Sequence, residues 1–478
     1  MPLILPGNVA SATAATTYDV ANSCRFNIAD TAYLSRAWGG AGDQDKWTFS
    51  CWIKRGGLGS PQQRIFSTYV DSNNAHDIKF RATDLFVMEN YKAADKGSFI
   101  STAVFRDPSA WMHMVVVWDS DNGTAGNRLL FYINGTLITD KTQTNPDSDE
   151  DSLINGNYTH EVGAINGGTT FGGYMAEVIF CDGQAYAASD FGEFDEDSPT
   201  IWKPKDPSGL TFGTKGFWLD FEDSSALGND VSGNNNDFTA TNLAATDQAT
   251  DTPTNNFCTM NPLDNYFAAS TFSEGNCKIV TTASKYTFNT GTFGLTAGKW
   301  YFEVKNSVSS DGNKNLIGIS AVPSDAATNY LGEDAYMWGY YGNNGNMITG
   351  ASSSSYGTAY ANNDIVGVFI DLDNNKLYTA DNGTINNSGT GVSLTAVAST
   401  TSGVYFPALG DYASGGTAGE FEVNFGGCPA YTISSAVADA NGYGAFEYDP
   451  SDGGSSSFDS AAKDFLAICT KNLGSDGG

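Results

Sequence analysis

Short runs of alternating apolar and polar residues, separated by turns of Gly, Asn, Asp and Pro, recur along this 478-residue chain. In the run KWTFSCWIKR, the alternation places Trp47, Phe49, Cys51 and Ile53 on one face of a strand and Trp52 on the other. Charged residues are only 16% of the chain, against a usual value of about 25%. Few charges and frequent turns disfavour helices, so the pattern predicts an all-β chain.

The strand-like runs fall into two regions that differ in sequence. We expect each region to form an antiparallel β-sandwich of the jelly-roll type, because strands recur there between regular turn signals. A polar segment, rich in Gly, Asn and Asp and ending in Thr, Asn and Pro, separates the two regions. It opens with the strand-like residues 217–221, so we expect a packed junction rather than a flexible tether. The predicted division is an N-terminal arm (1–16), a first sandwich (17–215), a connector (216–265), a second sandwich (266–428) and a C-terminal extension (429–478).

The charge of the chain is strongly acidic. Its 24 Lys and Arg against 54 Asp and Glu give a net charge of −30. Nucleic-acid binding needs a basic face, and no cluster of Lys and Arg exists, so we expect no nucleic-acid partner. The longest apolar run, Met112–Trp118, is far short of the roughly 20 residues that span a bilayer, so we expect no membrane insertion. Because the N-terminus lacks a basic stretch before its apolar start, we expect no secretory signal.

The cysteines give no sign of a metal site or of a disulfide framework. There are seven of them, an odd number, and they are scattered without a Cys-x-x-Cys pair. The sequence therefore predicts free thiols in a protein assembled in a reducing cytoplasm.

Two runs in the first region resemble the concanavalin A-like, laminin-G-like jelly roll. They are WMHMVVVWDSDNGTAGNRLLFYINGTLI (111–138) and GGYMAEVIFCDGQAYAASDFGEF (172–194). The residues that match the pattern of this family are Trp111, His113, Tyr132, Asn134, Gly135, Gly173 and Glu177. The resemblance implies chiefly structural roles for these positions, in the core or at the hairpin turn.

The same fold also carries glucanases, which place Glu-x-Asp-x-x-Glu on one strand so that two carboxylates face one cleft. The nearest run here begins with Glu193 and Asp195 but ends in Ser198. The three histidines lack a nucleophile elbow of the Gly-x-Ser-x-Gly type. We therefore predict no catalytic residues and expect a protein that is not an enzyme.

Calcium is the one cofactor that the residue types suggest, since laminin-G-like domains often bind it at the rim of a sheet through loop oxygens. Asp119, Asp121 and the acidic run 147–151 are candidate ligands by type, and Asp230 and Asp237 are candidates in the turn GNDVSGNNND. No EF-hand spacing is present. Solvated acidic loops and a polar turn explain the same residues, and both interpretations stay open.

Three runs in the second region resemble the SPRY family in the correct order. They are GKWYFEVKNSVSSDGNKNLIGISAV (298–322), DIVGVFIDLDNNKLYTADNGT (364–384) and VYFPALGDYASGGTAGEFEVNFG (404–426). Asp371 and Asp373 are expected to form a tight turn between two strands. The resemblance implies a second sandwich that binds partners through loops at one end of its sheets.

Aromatic residues beside Gly and Asn are candidate recognition residues in both regions. Tyr336, Trp338, Tyr340 and Tyr341 lie in DAYMWGYYGNNGNM, and Trp52 is the outward member of its strand. Rigid aromatics beside adaptable polar residues suit contacts with proteins or sugars. The alternative is that alternate members of the run pack into the core.

The segment 216–264 and the C-terminal run that ends in KDFLAICTKNL resemble structural proteins of marine bacteriophages. The resemblance implies a non-enzymatic virion protein of the fibre type, exposed on the virion surface after assembly in the host cytoplasm. Its implied partners are other virion proteins, further copies in a trimer, and a glycan or receptor on the host surface. The alternatives are a capsid decoration protein and a carbohydrate-binding or glucanase-type protein.

Overall fold

The computed structural model describes residues 18–196, 198–265, 268–323, 330–412, 415–451 and 464–476. The chain divides between Thr254 and Asn255 into two compact units. Each unit is a β-sandwich whose sheets are almost entirely antiparallel, so the prediction of an all-β chain with two sandwiches in tandem is confirmed. The predicted N-terminal arm, residues 1–16, lies outside the described residues. In the part of the chain that the structure describes, no helix has the length and apolar character needed to cross a membrane.

The first unit contains short strands with three-residue 3-10 turns between some of them. Its strands are β1 (Ser23–Phe26), β2 (Tyr33–Ala37), β3 (Lys46–Arg55), β4 (Gln63–Asp71), β5 (Asn74–Phe80), β6 (Leu85–Lys92), β7 (Asp95–Val104), β8 (Met112–Asp119), β9 (Leu129–Ile133), β10 (Thr136–Leu137), β11 (Lys141–Thr144), β12 (Thr159–Val162), β13 (Gly173–Asp182), β14 (Gly192–Phe194), β15 (Trp202–Pro204), β16 (Phe217–Leu219), β17 (Thr239–Thr241) and β18 (Gln248–Ala249). The 3-10 turns are Ala125–Asn127, Ala188–Asp190, Pro207–Gly209 and Ala245–Asp247.

Two sheets form the first sandwich. Sheet A has the order β10-β9-β8-β3-β13-β1-β18, with β16 also paired to β13, and sheet B has the order β11-β7-β6-β5-β4-β12-β2-β17. The core lies between them, and the Phe49 ring of sheet A stacks on the Phe66 ring of sheet B at 5.0 Å. Trp47, Cys51 and Ile53 are also fully buried in this core, as the alternation along β3 predicts.

Sheet A is apolar on its outer face as well. Val115, Val117 and Ile179 point away from the central core and pack under residues 186–196 and 198–212, which we call the first covering segment. Burial on both faces explains why β8 reads as the unbroken apolar run MHMVVVW rather than as an alternating strand. The outer face of sheet A is therefore closed by the chain itself.

The expected connector 216–265 belongs for most of its length to the first sandwich. Its strands pair with three separate strands: β16 with β13, β17 with β2 and β18 with β1. Asp251 is buried and anchors this segment to the first sandwich. It contacts Lys54 Nζ at 2.6 Å and accepts a hydrogen bond from Trp111 Nε1 at 2.8 Å. The boundary therefore falls at residue 254, and residues 216–254 complete the first sandwich because their polar turns separate true strands.

The second unit has strands β19 (Thr271–Ser273), β20 (Lys278–Val280), β21 (Thr287–Thr290), β22 (Lys299–Val308), β23 (Asn315–Ser320), β24 (Met337–Tyr341), β25 (Met347–Thr349), β26 (Ser352–Ser354), β27 (Ile365–Asp371), β28 (Lys376–Asp381), β29 (Thr384–Ile385), β30 (Val392–Ser393), β31 (Phe406–Asp411), β32 (Glu420–Asn424) and β33 (Leu466–Ala467). One helix, α1 (Thr470–Asp476), follows, and 3-10 turns lie at Glu274–Asn276, Asn386–Gly389 and Val397–Ser399. Sheet C has the order β19-β20-β32-β22-β27-β28-β29, with β30 paired to β28 and β33 paired to β22. Sheet D has the order β21-β31-β23-β24-β25-β26.

Sheet C, like sheet A, is covered on its outer face. Tyr301 and Phe369 point outward and pack against Phe257, Phe446 and Phe465. Strand β33 adds to this layer by pairing with β22 in the parallel direction. The described residues of the expected C-terminal extension, 429–451 and 464–476, thus belong to the second unit together with residues 255–265. We call the packed residues 443–446 and 465–469, with Phe257, the second covering layer.

Glu303 on β22 fixes the second covering layer to sheet C. Its fully buried carboxylate accepts hydrogen bonds from the hydroxyls of Tyr301 (2.9 Å) and Tyr431 (2.8 Å). It also accepts from Asn424 Nδ2 and from the backbone amides of Glu447 and Tyr448, at 3.1, 3.0 and 2.8 Å. Burial raises the pKa of Glu303, and these donors oppose that rise.

All seven cysteines are buried. Burial raises the pKa of the Cys51, Cys181 and Cys469 thiols, so very little reactive thiolate forms at these positions.

We predict that Glu303→Ala lowers the free energy of unfolding of the second sandwich by about 3 kcal/mol or more, because several buried donors lose their acceptor. Hydrogen exchange should then be faster at the amides of Glu447 and Tyr448, which mass spectrometry of the corresponding peptide measures. The control is Glu420→Ala, which breaks a surface pair with Lys278 worth about 0–1 kcal/mol. Equal protection of the two amides in the wild type and in Glu303→Ala would contradict the assigned role.

Candidate functional site

Trp52, a predicted recognition residue, is buried on the outer face of sheet A. It is 3% exposed and its ring stacks on the ring of His113 at 4.7 Å. The alternation in sequence correctly places Trp52 on the outer face of β3, but that face is apolar and covered. The prediction that Trp52 contacts a partner is therefore wrong.

The neighbouring pair of Ser50 and His113 has the spacing of a nucleophile and its base, with 2.8 Å between Ser50 Oγ and His113 Nε2. However, Trp202 Nε1 donates a hydrogen bond to His113 Nδ1 at 3.0 Å. Nδ1 must therefore be the unprotonated nitrogen, and Nε2 carries the proton and donates it to Ser50. Burial also lowers the pKa of His113 to about 3. In this tautomer the imidazole cannot take the proton of Ser50, so the pair is structural.

The rejected glucanase run lies on the small β14–β15 hairpin of the first covering segment. Glu193 and Asp195 both lie near Lys203, whose Nζ is 3.6 and 3.7 Å from their carboxylate oxygens. The other two histidines, His76 and His160, are completely buried in the first sandwich. The structure thus brings none of these residues to an open cleft.

The candidate calcium ligands Asp119 and Asp121 converge on a lysine. Lys46 Nζ lies 3.6 Å from Asp119 and 3.4 Å from Asp121, so an ammonium group already balances the two carboxylates. Asp119 also accepts a hydrogen bond from Asn122 Nδ2 at 3.3 Å. These contacts give the two carboxylates protein partners in place of a metal.

Asp230 and Asp237 organise the turn that the sequence GNDVSGNNND predicts. Asp230 accepts hydrogen bonds from the backbone amides of Trp218, Ser232 and Asn236 at 2.7–2.9 Å. Asp237 accepts from the amide of Asp230 at 2.9 Å. Among the described residues, no group of three or more His, Cys, Asp and Glu side chains could hold a metal ion. The polar-turn interpretation accounts for both residues, and the expected calcium site finds no support.

The aromatic run in the second region divides between two faces of β24. Trp338 and Tyr340 point into the sandwich, opposite Ile319 and Ile317 of β23, and are 4% and 0% exposed. Tyr340 donates a hydrogen bond to Asp381 at 2.8 Å. The prediction of a recognition surface is therefore wrong for these two residues, and the alternative of core packing holds.

The remaining two residues of the run lie toward solvent. Tyr336 is half-buried beside β24, and Tyr341 is half-buried on the outer face of sheet D. Asp371, in the predicted turn, accepts hydrogen bonds from the amide and the side chain of Asn374, as a turn residue should.

Tyr341 belongs to a cluster of four half-buried tyrosines on the outer face of sheet D. The ring of Tyr412 lies at the centre, 5.0 Å from Tyr286, 4.3 Å from Tyr330 and 6.2 Å from Tyr341. The Tyr286 and Tyr330 rings are 5.5 Å apart. We call these four residues the tyrosine cluster. Sequence analysis missed three of them because Tyr286 and Tyr412 adjoin separate strands, Tyr330 lies in the loop before β24, and the three meet only in the folded unit.

Apolar side chains support the tyrosine cluster from below, and an acidic residue lies beside it. The supporting residues are Phe288, Leu316, Leu331, Met337, Ile348 and Ala408. Glu333 is near enough that its charge, added to the effect of burial, raises the pKa of Tyr286 and Tyr330. Its Oε2 atom is shielded from solvent and finds no hydrogen-bond partner among the described residues. The site therefore offers flat apolar rings and neutral hydroxyls.

Glu177 is the most perturbed acid of the first sandwich. It lies at a bulge of β13, with φ of 49°, where the register to β3 shifts. Trp218 Nε1 donates to its Oε2 at 2.9 Å and Tyr18 donates its hydroxyl to the same carboxyl group. Burial raises the pKa of Glu177 to about 8, and the nearby charges of Asp220 and Glu222 add to the rise. At neutral pH this side chain is therefore mostly protonated.

We predict that the first sandwich becomes less stable as the pH rises from about 7 to 8, a range above the usual pKa of 6.5 in which its three buried histidines are mostly neutral in both the folded and the unfolded chain. The neutral form of Glu177 stabilises the fold fully below its usual pKa of 4.5, and this contribution is lost as the pH rises through about 8, at up to about 1.4 kcal/mol per pKa unit. Glu177→Gln should flatten this slope, whereas Glu193→Gln on the surface should not. Tryptophan fluorescence in urea can follow the transition, because Trp38, Trp47, Trp52, Trp111, Trp118, Trp202 and Trp218 belong to this unit and only Trp300 and Trp338 to the other. Parallel slopes for the wild type and Glu177→Gln would refute the assignment.

Comparisons with known proteins match both units. Residues 29–186 match the family described as "Concanavalin A-like lectin/glucanases superfamily", and residues 299–423 match the family described as "SPRY domain". Almost all of the first covering segment and all of the second covering layer lie outside the matched residues. A comparison with curated proteins finds no match.

Solved structures similar to this chain include the following three. The SPRY domain of human HERC1 is 14% identical, covers 36% of this chain and 99% of its own, and has a TM-score of 0.29. A human SPRY domain is 18% identical over 31% of this chain and 90% of its own, with a TM-score of 0.25. Stonustoxin is 18% identical over 35% of this chain and 27% of its own, with a TM-score of 0.26. The chain therefore carries a domain similar to the concanavalin A-like lectin/glucanase superfamily, followed by a domain similar to the SPRY family.

Proposed function

We propose that this chain is a non-enzymatic binding protein and that the tyrosine cluster on sheet D is its main recognition surface. The single observation that carries the proposal is the meeting of Tyr286, Tyr330, Tyr341 and Tyr412, all half-buried, on the outer face of sheet D. Tyrosines are frequent anchors in protein interfaces, because they supply a large rigid surface with one polar group.

The covered faces of the two sandwiches support the choice of this surface. The outer face of sheet A is buried under the first covering segment, and the outer face of sheet C under the second covering layer. A partner cannot reach Trp52 or Tyr301 without displacing packed aromatic residues. In the second unit, sheet D is the sheet whose outer face presents half-buried aromatic rings.

A non-enzymatic role is consistent with the state of the polar groups. His113 is fixed in the tautomer that donates to Ser50, and Glu193 and Asp195 share a lysine on a short hairpin. Glu177, the acid with a raised pKa, is buried and receives hydrogen bonds from two side chains. These arrangements favour a binding role over a glucanase-type activity. An enzyme of the glucanase type is the alternative function.

For the setting, we propose a bacteriophage virion, with this chain as a fibre or fibre-associated component at the particle surface. The support is the resemblance of residues 216–264 and of the C-terminal run to structural proteins of marine phages. In this setting the chain would contact other virion proteins, form a trimer and present the tyrosine cluster to a host-surface protein or glycan. A capsid decoration protein is the alternative in the same setting.

We predict that the double substitution Tyr330→Ala and Tyr412→Ala weakens adhesion of the purified chain to host cells by about 30-fold or more, as the loss of an interface hot spot of about 2 kcal/mol does. Flow cytometry of the labelled chain on a panel of marine bacterial isolates measures this. Phe194→Ala, which removes an exposed aromatic ring of the first sandwich, is the control and should bind like the wild type. Unchanged adhesion by the double variant, with its fold intact, would exclude this surface.

We also predict that the chain is present in purified phage particles and visible at their surface. Mass spectrometry of gradient-purified virions tests presence, and cryo-electron microscopy with an antibody against the second sandwich tests location and symmetry. Density in a fibre supports the fibre role, and density spread over the capsid lattice supports the decoration role. Absence of the chain from mature particles would contradict the proposed virion role. The binding role of the tyrosine cluster would then be tested separately.

A further inference from the structure

A small cavity lies at one end of the first sandwich, where the chain crosses from sheet B to sheet A. Residues 105–111 make this crossing between β7 and β8. The cavity has a volume of about 230 Å³. Sites for drug-sized ligands usually measure about 300–1,000 Å³, so this one suits a smaller molecule, such as a single aromatic ring with a short side arm.

Part of the cavity wall is apolar. Ile53 of β3 and Met112 of β8 are directly opposite each other in sheet A and line the cavity from the side of the core. Phe105 and Trp111 line it from the two ends of the crossing segment. Val104 also lines it and is 50% exposed, so apolar surface of the wall is in contact with water. A ligand that covers this surface gains free energy from its burial.

Two guanidinium groups that share one carboxylate form another part of the wall. Arg55 and Arg106 both line the cavity. Arg55 donates a hydrogen bond to Asp84 Oδ1 at 3.0 Å, and Arg106 donates through Nε to Asp84 Oδ2 at 2.7 Å. The amide of Gly59 also donates to Asp84 Oδ1, at 2.7 Å. Both oxygens of Asp84 therefore already accept hydrogen bonds, and these charge-assisted bonds orient the two guanidinium groups.

The polar groups of the wall leave more donors than acceptors without partners. Among the described residues, the two terminal nitrogens of Arg106 and the Nδ2 atom of Asn134 have no hydrogen-bond partner. The Nε atom of Arg55 is shielded from solvent and also lacks one. Asp107 is the one carboxylate in the lining, and its Oδ1 atom accepts hydrogen bonds from the amide and the hydroxyl of Ser109. The cavity therefore suits a ligand that brings acceptors.

We propose that this cavity binds a small organic acid, in which one carboxylate is joined to an aromatic ring or to a branched apolar group. The apolar group packs between Ile53, Met112 and Phe105. The carboxylate accepts two parallel hydrogen bonds from the terminal nitrogens of Arg106, a geometry that a guanidinium group offers and that a neutral amide ligand cannot match. The inference goes beyond the proposed function, since the tyrosine cluster belongs to the other unit.

Charge selects the ligand at short range. The chain carries a net charge of −30, which repels anions at a distance. At physiological ionic strength, exposed charges more than about 8 Å apart are largely screened, so the guanidinium groups of the wall dominate inside the cavity. The side chain of Arg106 is 54% exposed and can reach a ligand while its Nε atom stays paired with Asp84. A cationic ligand would meet two guanidinium groups there and would bind poorly.

Ligand-detected NMR titration of the full chain tests the proposal with three probes of the same size: 3-phenylpropionate, its neutral amide 3-phenylpropanamide, and the cation 2-phenylethylammonium. We expect 3-phenylpropionate to bind with the modest affinity that so small a ligand can reach. The amide and the cation should each bind at least tenfold more weakly. Equal binding of 3-phenylpropionate and its amide, or no binding of 3-phenylpropionate, would overturn the proposal.

Three variants assign the binding to this cavity. Arg106→Gln removes the proposed partner of the carboxylate and should weaken binding of 3-phenylpropionate by about tenfold or more. Val104→Asp adds a carboxylate to the exposed part of the wall and should weaken binding of the acid without weakening that of the cation. The matched control is Arg81→Gln, which removes a partly exposed arginine of sheet B paired with Glu89 and should leave binding unchanged. Near-ultraviolet circular dichroism checks that each variant is folded. Unchanged binding by folded Arg106→Gln would refute the assigned site.

Discussion

Burial of a second apolar face is the constraint on which the organisation of both sandwiches depends. Sheets A and C each carry apolar side chains on both sides, and water on the outer side would oppose folding. The chain satisfies this requirement with its own segments, which lie beyond or at the end of the parts similar to known families. Hydrogen bonds fix these segments in place. In the first unit, Trp202 donates a hydrogen bond to His113. In the second unit, Tyr301, Tyr431 and the amide of Tyr448 donate hydrogen bonds to Glu303.

The covering segments also decide where function can lie. A sheet that is closed on both sides cannot offer its aromatic residues to a partner, however suitable their chemistry. Among the residues that the structure describes, sheets B and D carry partly exposed tyrosines on their outer faces. The tyrosines of sheet D form a compact group of four rings, whereas Tyr69 and Tyr91 of sheet B are separated by strand β5.

The alternation of residues predicts the strands and the inward set of β3, because side chains of a strand must point to opposite sides. It cannot predict whether the opposite side meets water or another part of the chain. For this reason Trp52 and Trp338 were expected at a surface and are buried. The tyrosine cluster escapes sequence analysis for the converse reason, because Tyr286 and Tyr412 are far apart in sequence and become neighbours only through the pairing of β21 with β31. The end of the first unit was misplaced because the turn around Asp230 reads as a linker when its hydrogen bonds are unknown.

The burial of every cysteine has a consequence for durability. A thiol enclosed in packed apolar surroundings is reached neither by oxidants nor by the thiols of a neighbouring molecule. Exposure of the folded protein to an oxidising solution should therefore leave its thiols unmodified and should not cross-link it to neighbouring molecules. Its cohesion under such conditions depends on packing, hydrogen bonds and buried ion pairs such as Lys54–Asp251.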